Sequence, residues 1–142
     1  MDYERLEMER FIARHGLTRF RMNPHFPVNT LTAMRGLIAA RELGVEEAYV
    51  AAVLAAMWQD GEKMDDPGVF TRVLDAAGLE GQRILALTAE DPIKQALAEA
   101  TAAVVERGVF GIPTFFVGGE MFFGKERLGQ VEEALAALTS PA

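Results

Sequence analysis

Two aromatic-rich runs limit the fold of this chain more than any other feature: Thr114-Phe115-Phe116-Val117 and Glu120-Met121-Phe122-Phe123, with only Gly118-Gly119 between them. β-Branched and aromatic residues suit a pleated surface, and glycine reaches the positive φ that a two-residue primed turn requires. The spacing predicts a β-hairpin, broken at its far end by Gly124. A lone hairpin is marginal in water, and an open aromatic edge invites another strand. Other residues or a partner must therefore cover it.

The remaining sequence has helical patterning. Residues 2–15 carry an imperfect stripe of Tyr3, Leu6, Met8, Phe11 and Ile12, with Gly16 as its stop. Pro24 and Pro27 forbid a regular element across Arg21-Met22-Asn23-Pro24-His25-Phe26-Pro27. Asn29 is placed to cap a helix running to about residue 43, with Leu31, Met34, Leu37 and Ile38 inward and Gly44 ending it. Residues 46–60 show the cleanest helical period, through Val50, Val53, Leu54, Met57 and Trp58, up to Gly61. Trp58 and the methionines Met34 and Met57 read as core filling.

Asp66-Pro67 and Asp91-Pro92 each join a capping carboxylate to a proline at the first helical position, where no N–H is needed. The first opens a stripe of Phe70, Val73, Leu74 and Ala77; the second opens a helix to about residue 107 through Ile93, Leu97, Ala100 and Val104. A short turn is expected at 82–87. A last helix, at 126–138, is expected to pack through Leu128, Val131, Leu135 and Leu138.

The 142 residues suffice for a proper core. The chain has no cysteine, which excludes a disulfide framework, a thiolate metal site and a CxxC pair within it. A net charge of −7 with scattered Lys and Arg argues against nucleic acid. His15 and His25 lack zinc-motif spacing, so no metal is expected. No apolar run reaches the roughly 18–20 residues of a membrane span, and the opening residues lack a signal-peptide core. A cytoplasmic protein with no membrane partner is expected.

The stretch Gly108-Val109-Phe110-Gly111-Ile112-Pro113 leads into the first strand. A cis Ile112–Pro113 bond would turn the Ile112 backbone outward, where an extended peptide could pair with it, and Gly111 would let a ligand come close. From these residues alone, a trans proline opening an edge strand is the commoner alternative.

Gly-Ile-Pro-Thr-Phe-Phe-Val-Gly-Gly from Gly111, with Phe-Phe-Gly-Lys-Glu-Arg-Leu from Phe122, resembles the closing part of the DsbA-like branch of the thioredoxin superfamily, where the proline is cis. Asn23-Pro24-His25-Phe26-Pro27-Val28-Asn29-Thr30, Ala56-Met57-Trp58 and Met64-Asp65-Asp66-Pro67 narrow the likeness to 2-hydroxychromene-2-carboxylate isomerases and kappa-class glutathione transferases. The resemblance implies an α/β, mostly helical chain: a DsbA-like thioredoxin fold lacking its first β-α-β, with a helical insertion, a hairpin and a C-terminal helix. On that reading, residues 1–27 are a leading helix and connection, 28–90 the insertion, and 91–142 the C-terminal half of the thioredoxin-like domain. The family serine that contacts the glutathione sulfur belongs to the upstream segment, so no catalytic residue is carried over and this chain alone is expected to be inactive.

Glutathione is the cofactor that the resemblance implies. Ile112 and Pro113 correspond to the site for its cysteinyl part, and Phe123, Gly124, Lys125 and Glu126 to the site for its γ-glutamyl group. A helix start attracts a carboxylate, and Glu126 could meet the ammonium. Equally, Glu126 could simply favour the helix start, with Lys125 in solvent. Asn23 and His25 correspond to the cleft that receives a small aromatic keto acid, although an Asn-Pro turn and a surface histidine explain them as well. A homodimer hiding the sheet edge is expected. The implied activity is glutathione-dependent isomerisation; the alternatives are a DsbA-like thiol–disulfide oxidoreductase and a non-catalytic fragment or binding module.

Overall fold

A computed structural model of the protein describes residues 3–139. Its elements run in chain order as α1 (Tyr3–Arg14), α2 (Leu31–Glu42), α3 (Glu46–Ala55) continued by a π-helical turn (Ala56–Asp60), α4 (Pro67–Ala76), α5 (Gly81–Leu87), α6 (Asp91–Glu106), β1 (Thr114–Val117), β2 (Glu120–Phe123), a 3-10 turn (Lys125–Arg127) and α7 (Leu128–Thr139). The expected order of helices, hairpin and helix is present. Asp2, the expected first residue of α1, lies outside the described residues. The chain divides into two compact units, Met1–Ala98 and Glu99–Ala142, whose boundary falls within α6. None of the described helices is long and apolar enough to cross a membrane.

The core of the first unit gathers Ala33, Ala39, Ala40, Tyr49, Val53, Ala56, Met57, Met64, Phe70, Leu74, Ile84 and Ile93. Phe70 and Leu74 are fully buried, each stabilising the fold by about 1.5–3 kcal/mol. They are positioned by the expected start of α4, where the Asp66 carboxylate accepts from the N–H groups of Gly68 and Val69 at 2.8 and 3.0 Å. Replacing such a cap by alanine costs about 1 kcal/mol.

Two helix faces differ from the sequence expectation. On α2 the buried residues are Ala33, Gly36, Ala39 and Ala40, while Leu31 and Met34 are exposed. On α3 the inward side is Tyr49 and Val53; Val50 and Leu54 face out. One cause explains both: Tyr49 occupies the space beside α2, its hydroxyl donates to the Ala33 carbonyl at 2.7 Å, and only small residues leave room for its ring. Hydrophobicity ranks these positions wrongly because the close approach selects size.

The helix starts differ in detail. Thr30 is the residue before α2 and makes no side-chain cap; the capping bond expected of Asn29 is present, its carboxamide oxygen accepting from Leu31 N–H at 3.0 Å. Helix α6 includes Asp91 as its first residue, where its carboxylate pairs with Lys94.

In the second unit, β1 and β2 are antiparallel, pairing Thr114 with Phe123 and Val117 with Glu120. Gly118 has φ +58° and Gly119 is not at positive φ, the sign pattern of a type II′ turn. Helix α7 lies against β1, but less deeply than expected. Leu128, Leu135 and Leu138 are exposed, Val131 is half-buried, and no α7 residue is buried.

Candidate functional site

The expected glutathione contacts lie in the second unit. The Ile112–Pro113 peptide is cis. Ile112 is 90% exposed, and neither its N–H nor its carbonyl has a hydrogen-bond partner among the described residues. Its neighbours are committed: Thr114 Oγ1 donates to the Gly111 carbonyl at 2.7 Å, and Gly124 N–H donates to the Pro113 carbonyl at 2.9 Å. The Ile112 backbone is thus an unpaired donor and acceptor beside a strand whose outer edge is free in the two-stranded sheet. That combination suits an extended peptide.

Phe123 fixes this segment. Its ring packs on Phe110 with centroids 4.7 Å apart, and a Cβ on Gly111 would fall 2.8 Å from it. The close neighbour at Gly111 is therefore the Phe123 ring, where the sequence suggested a ligand. On the adjoining strand, the Arg107 guanidinium lies over the Phe116 ring at 3.6 Å.

Gly124 has φ +97° and precedes the 3-10 turn. A side chain there would strain the backbone and meet the Glu126 carboxylate at 2.8 Å. Lys125 and Glu126 form an ion pair. Hydrogen bonding from Lys125, then from the Glu126 backbone N–H, holds the Glu126 carboxyl below the usual carboxylate range. Both residues are accessible, but the pair already occupies part of the Glu126 carboxylate.

Asn23 and His25 belong to the first unit. Asn23 is 3% exposed; its Nδ2 donates to the Met57 and Glu62 carbonyls at 3.0 and 2.9 Å, and its Oδ1 accepts from His25 N–H at 2.8 Å. The side chain is spent on the fold, so it reaches a ligand only through the loop it holds. That loop has a second cis bond, Phe26–Pro27, which the sequence reading did not single out. The His25 side chain is exposed.

Asn23 can bond there because α3 widens into its π-helical turn, a local change common at functional sites. Carbonyls at this turn are taken by external donors: Arg21 N–H reaches the Trp58 carbonyl at 2.7 Å, and Glu62 N–H reaches Ala56 at 2.8 Å. Trp58 stacks on Phe20 at 5.9 Å, with Phe26 at 6.3 Å on a tilted plane. Phe20, Trp58, Arg19 and Gln59 help to line an open pocket of about 260 Å³. Trp58, read from sequence as core, is thus half-buried at the margin of the core and forms one wall of that pocket. The sequence signal available was the aromatic pair flanking a proline-rich connection, which periodicity alone did not isolate.

The geometry has counterparts among known proteins. The DSBA-like thioredoxin domain family matches residues 3–136. The chain is 28% identical over 137 residues to 2-hydroxychromene-2-carboxylate isomerase of Pseudomonas sp. (strain C18), covering 95% of this chain and 62% of that protein. It is 29% identical over 141 residues to the protein of the same name from Pseudomonas putida, covering 97% and 66%. A solved structure of selenomethionine 2-hydroxychromene-2-carboxylate isomerase (HCCA isomerase) superposes with a TM-score of 0.84 at 26% identity, covering 96% of this chain and 66% of that one. The chain spans a little under two-thirds of the length of the curated relatives it matches. By sequence and by fold, it belongs to the DSBA-like thioredoxin domain family.

Proposed function

We propose that the protein containing this chain is a glutathione-dependent isomerase of 2-hydroxychromene-2-carboxylate-like aromatic acids. The observation that carries this reading is the length of the likeness: two isomerases of that name align over 95% and 97% of the chain. Glutathione fits what the second unit offers. It is a peptide with an anionic and ammonium-bearing end, and this unit has an unpaired backbone at Ile112 followed by an acid at a helical start.

Bound glutathione would supply a thiolate that adds reversibly to the conjugated double bond of the ring-opened acid, so that the bond can rotate. The residues here bind and orient. Ile112 offers its N–H and carbonyl to the cysteinyl portion, with Pro113 beside it. The Glu126 carboxylate, kept ionised by Lys125, faces the ammonium, while Phe123 and Gly124 set the approach to the helical start. Asn23 holds the loop that presents His25 to the keto acid. No residue of this chain is assigned to the sulfur, so turnover is assigned to the chain joined to the strand–helix–strand segment that the family resemblance places upstream. The test is isomerisation of 2-hydroxychromene-2-carboxylate by that joined protein, with and without glutathione.

A further inference from the structure

Acidic residues are missing from one stretch of the chain. Between Glu9 and Glu42 there is no Asp, Glu or Lys, while six arginines and both histidines fall there, in a protein of net charge −7. Arg10 pairs with Glu7 and Arg41 with Glu46. Arg14, Arg19 and Arg21, which bracket the turn after α1, are exposed and make no ion pair among the described residues. Leu17, Met22 and Phe26 are exposed in the same segment. Arginine, methionine and aromatic residues in the absence of Lys, Asp and Glu are the composition of a protein–protein contact.

The same segment opens onto the pocket of about 260 Å³ that Arg19, Phe20, Trp58 and Gln59 help to line. That volume is below the roughly 300–1,000 Å³ of pockets that enclose a small molecule, and it suits one inserted aromatic side chain. Phe20 and Trp58 are half-buried. They are placed to receive a side chain, not to penetrate a lipid surface. The Arg21 N–H bond to the Trp58 carbonyl ties the two segments together before anything binds, which lowers the ordering cost of an association. Asp60, next to Gln59 in the chain, lines a different pocket, beside Arg72 and Val73. Carboxylates brought by a partner therefore meet three arginines that no acid of this chain occupies.

We propose that the turn after α1 and the π-helical turn of α3 form a docking site for an acidic protein segment. One aromatic side chain of that segment enters the pocket beside Phe20 and Trp58, and its flanking carboxylates meet Arg14, Arg19 and Arg21. An aromatic anchor in a pocket supplies affinity, and charge-assisted hydrogen bonds around it select the acidic sequence. The proposal goes beyond the isomerase reading and does not rest on it.

Trp58 is the only tryptophan of the chain, so its fluorescence reports on the pocket. The test titrates the 142-residue chain with the end-blocked peptide Glu-Glu-Phe-Glu-Glu and with two controls, one carrying Gln for each Glu and one carrying Ala for Phe. The acidic aromatic peptide should change the emission saturably and bind about tenfold more tightly than either control, the scale of one charge-assisted hydrogen bond. Its affinity should fall with added salt. Arg19→Gln with Arg21→Gln should abolish the preference for Glu over Gln, and Phe20→Ala the preference for Phe over Ala. Circular dichroism checks that each variant folds; if Phe20→Ala does not, the comparison of the Phe and Ala peptides on the wild type decides. Equal binding of the Glu and Gln peptides, a preference that survives loss of both arginines, or no saturable change at millimolar peptide would each overturn the proposal. So would sedimentation of the chain with phosphatidylglycerol vesicles when the peptide does not bind, since the surface would then be a lipid contact.

Discussion

The hydroxyl oxygen of Tyr49 lies 2.2 Å from the position that a Cβ on Gly36 would occupy. Tyr49 is 2% exposed, so its ring has no free space into which to retreat. Helix α3 can therefore place a tyrosine against α2 only where α2 has glycine. Gly36→Ala should destabilise the protein by about 1–3 kcal/mol, as overpacking of a close-packed core does. Tyr49→Phe should cost about 0.5–1.5 kcal/mol for the lost hydrogen bond to Ala33. The double variant should be more stable than the sum of the two losses predicts, since removal of the oxygen relieves the closest clash. Urea denaturation of the four proteins measures this coupling.

The same tyrosine makes stability depend on alkaline pH. Burial pushes its phenol above the ordinary value, so the neutral form is favoured in the folded state. The unfolded chain ionises near the usual pKa of about 10. The stabilisation is complete below that value and is lost as pH rises above it toward the folded-state pKa. In a Tyr3→Phe background, absorbance at 295 nm should show Tyr49 titrating later than a free tyrosine and together with unfolding. A normal titration without loss of structure would contradict the buried geometry.

Asn23 closes the carbonyls of Met57 and Glu62 while tying down His25. Asn23→Ala should destabilise the protein by about 2–3 kcal/mol, since buried partners lose their bonds. Asn23→Asp should be worse, because a carboxylate would face two carbonyl oxygens. Trp58 fluorescence should change in both, as the turn it sits on is released. Denaturation curves unchanged from wild type would show that the connection is held by other contacts.

The elements were legible where local chemistry determines them. Asp66-Pro67 marks a helix start because the cap and the proline act within a few residues, and Gly118-Gly119 marks the hairpin turn for the same reason. The glycines at 16, 44, 61 and 78 all stand at positive φ, ending helices where their positions suggested. What could not be read was any feature set across distance in the sequence. The inward face of α2 depends on Tyr49, which lies 16 residues from Ala33. The π-helical turn depends on donors at Arg21 and Asn23, and the pocket beside Trp58 depends on that turn. At the candidate glutathione site, the sequence identified the Ile112–Pro113 segment, but not that Phe123 fills the space at Gly111 or that Lys125 holds Glu126.

Ile112, Phe110 at 73% and Leu138 at 66% exposure leave much apolar surface uncovered in the second unit. Surface of this kind generally marks a contact. The 142-residue chain should therefore self-associate in a concentration-dependent way, and Phe110→Lys with Leu138→Lys should shift it toward monomer. Sedimentation velocity across a concentration series reads this out; a folded monomer at every concentration would refute it.

Glutathione-dependent isomerisation is read out by turnover. The chain joined to the upstream strand–helix–strand segment should convert 2-hydroxychromene-2-carboxylate with glutathione present. The 142-residue chain alone should not. S-Methylglutathione, which keeps the peptide but cannot form a thiolate, should support no turnover and should inhibit competitively with glutathione. Conversion by the joined protein at the same rate without glutathione, or with S-methylglutathione in its place, would contradict a glutathione-dependent reaction.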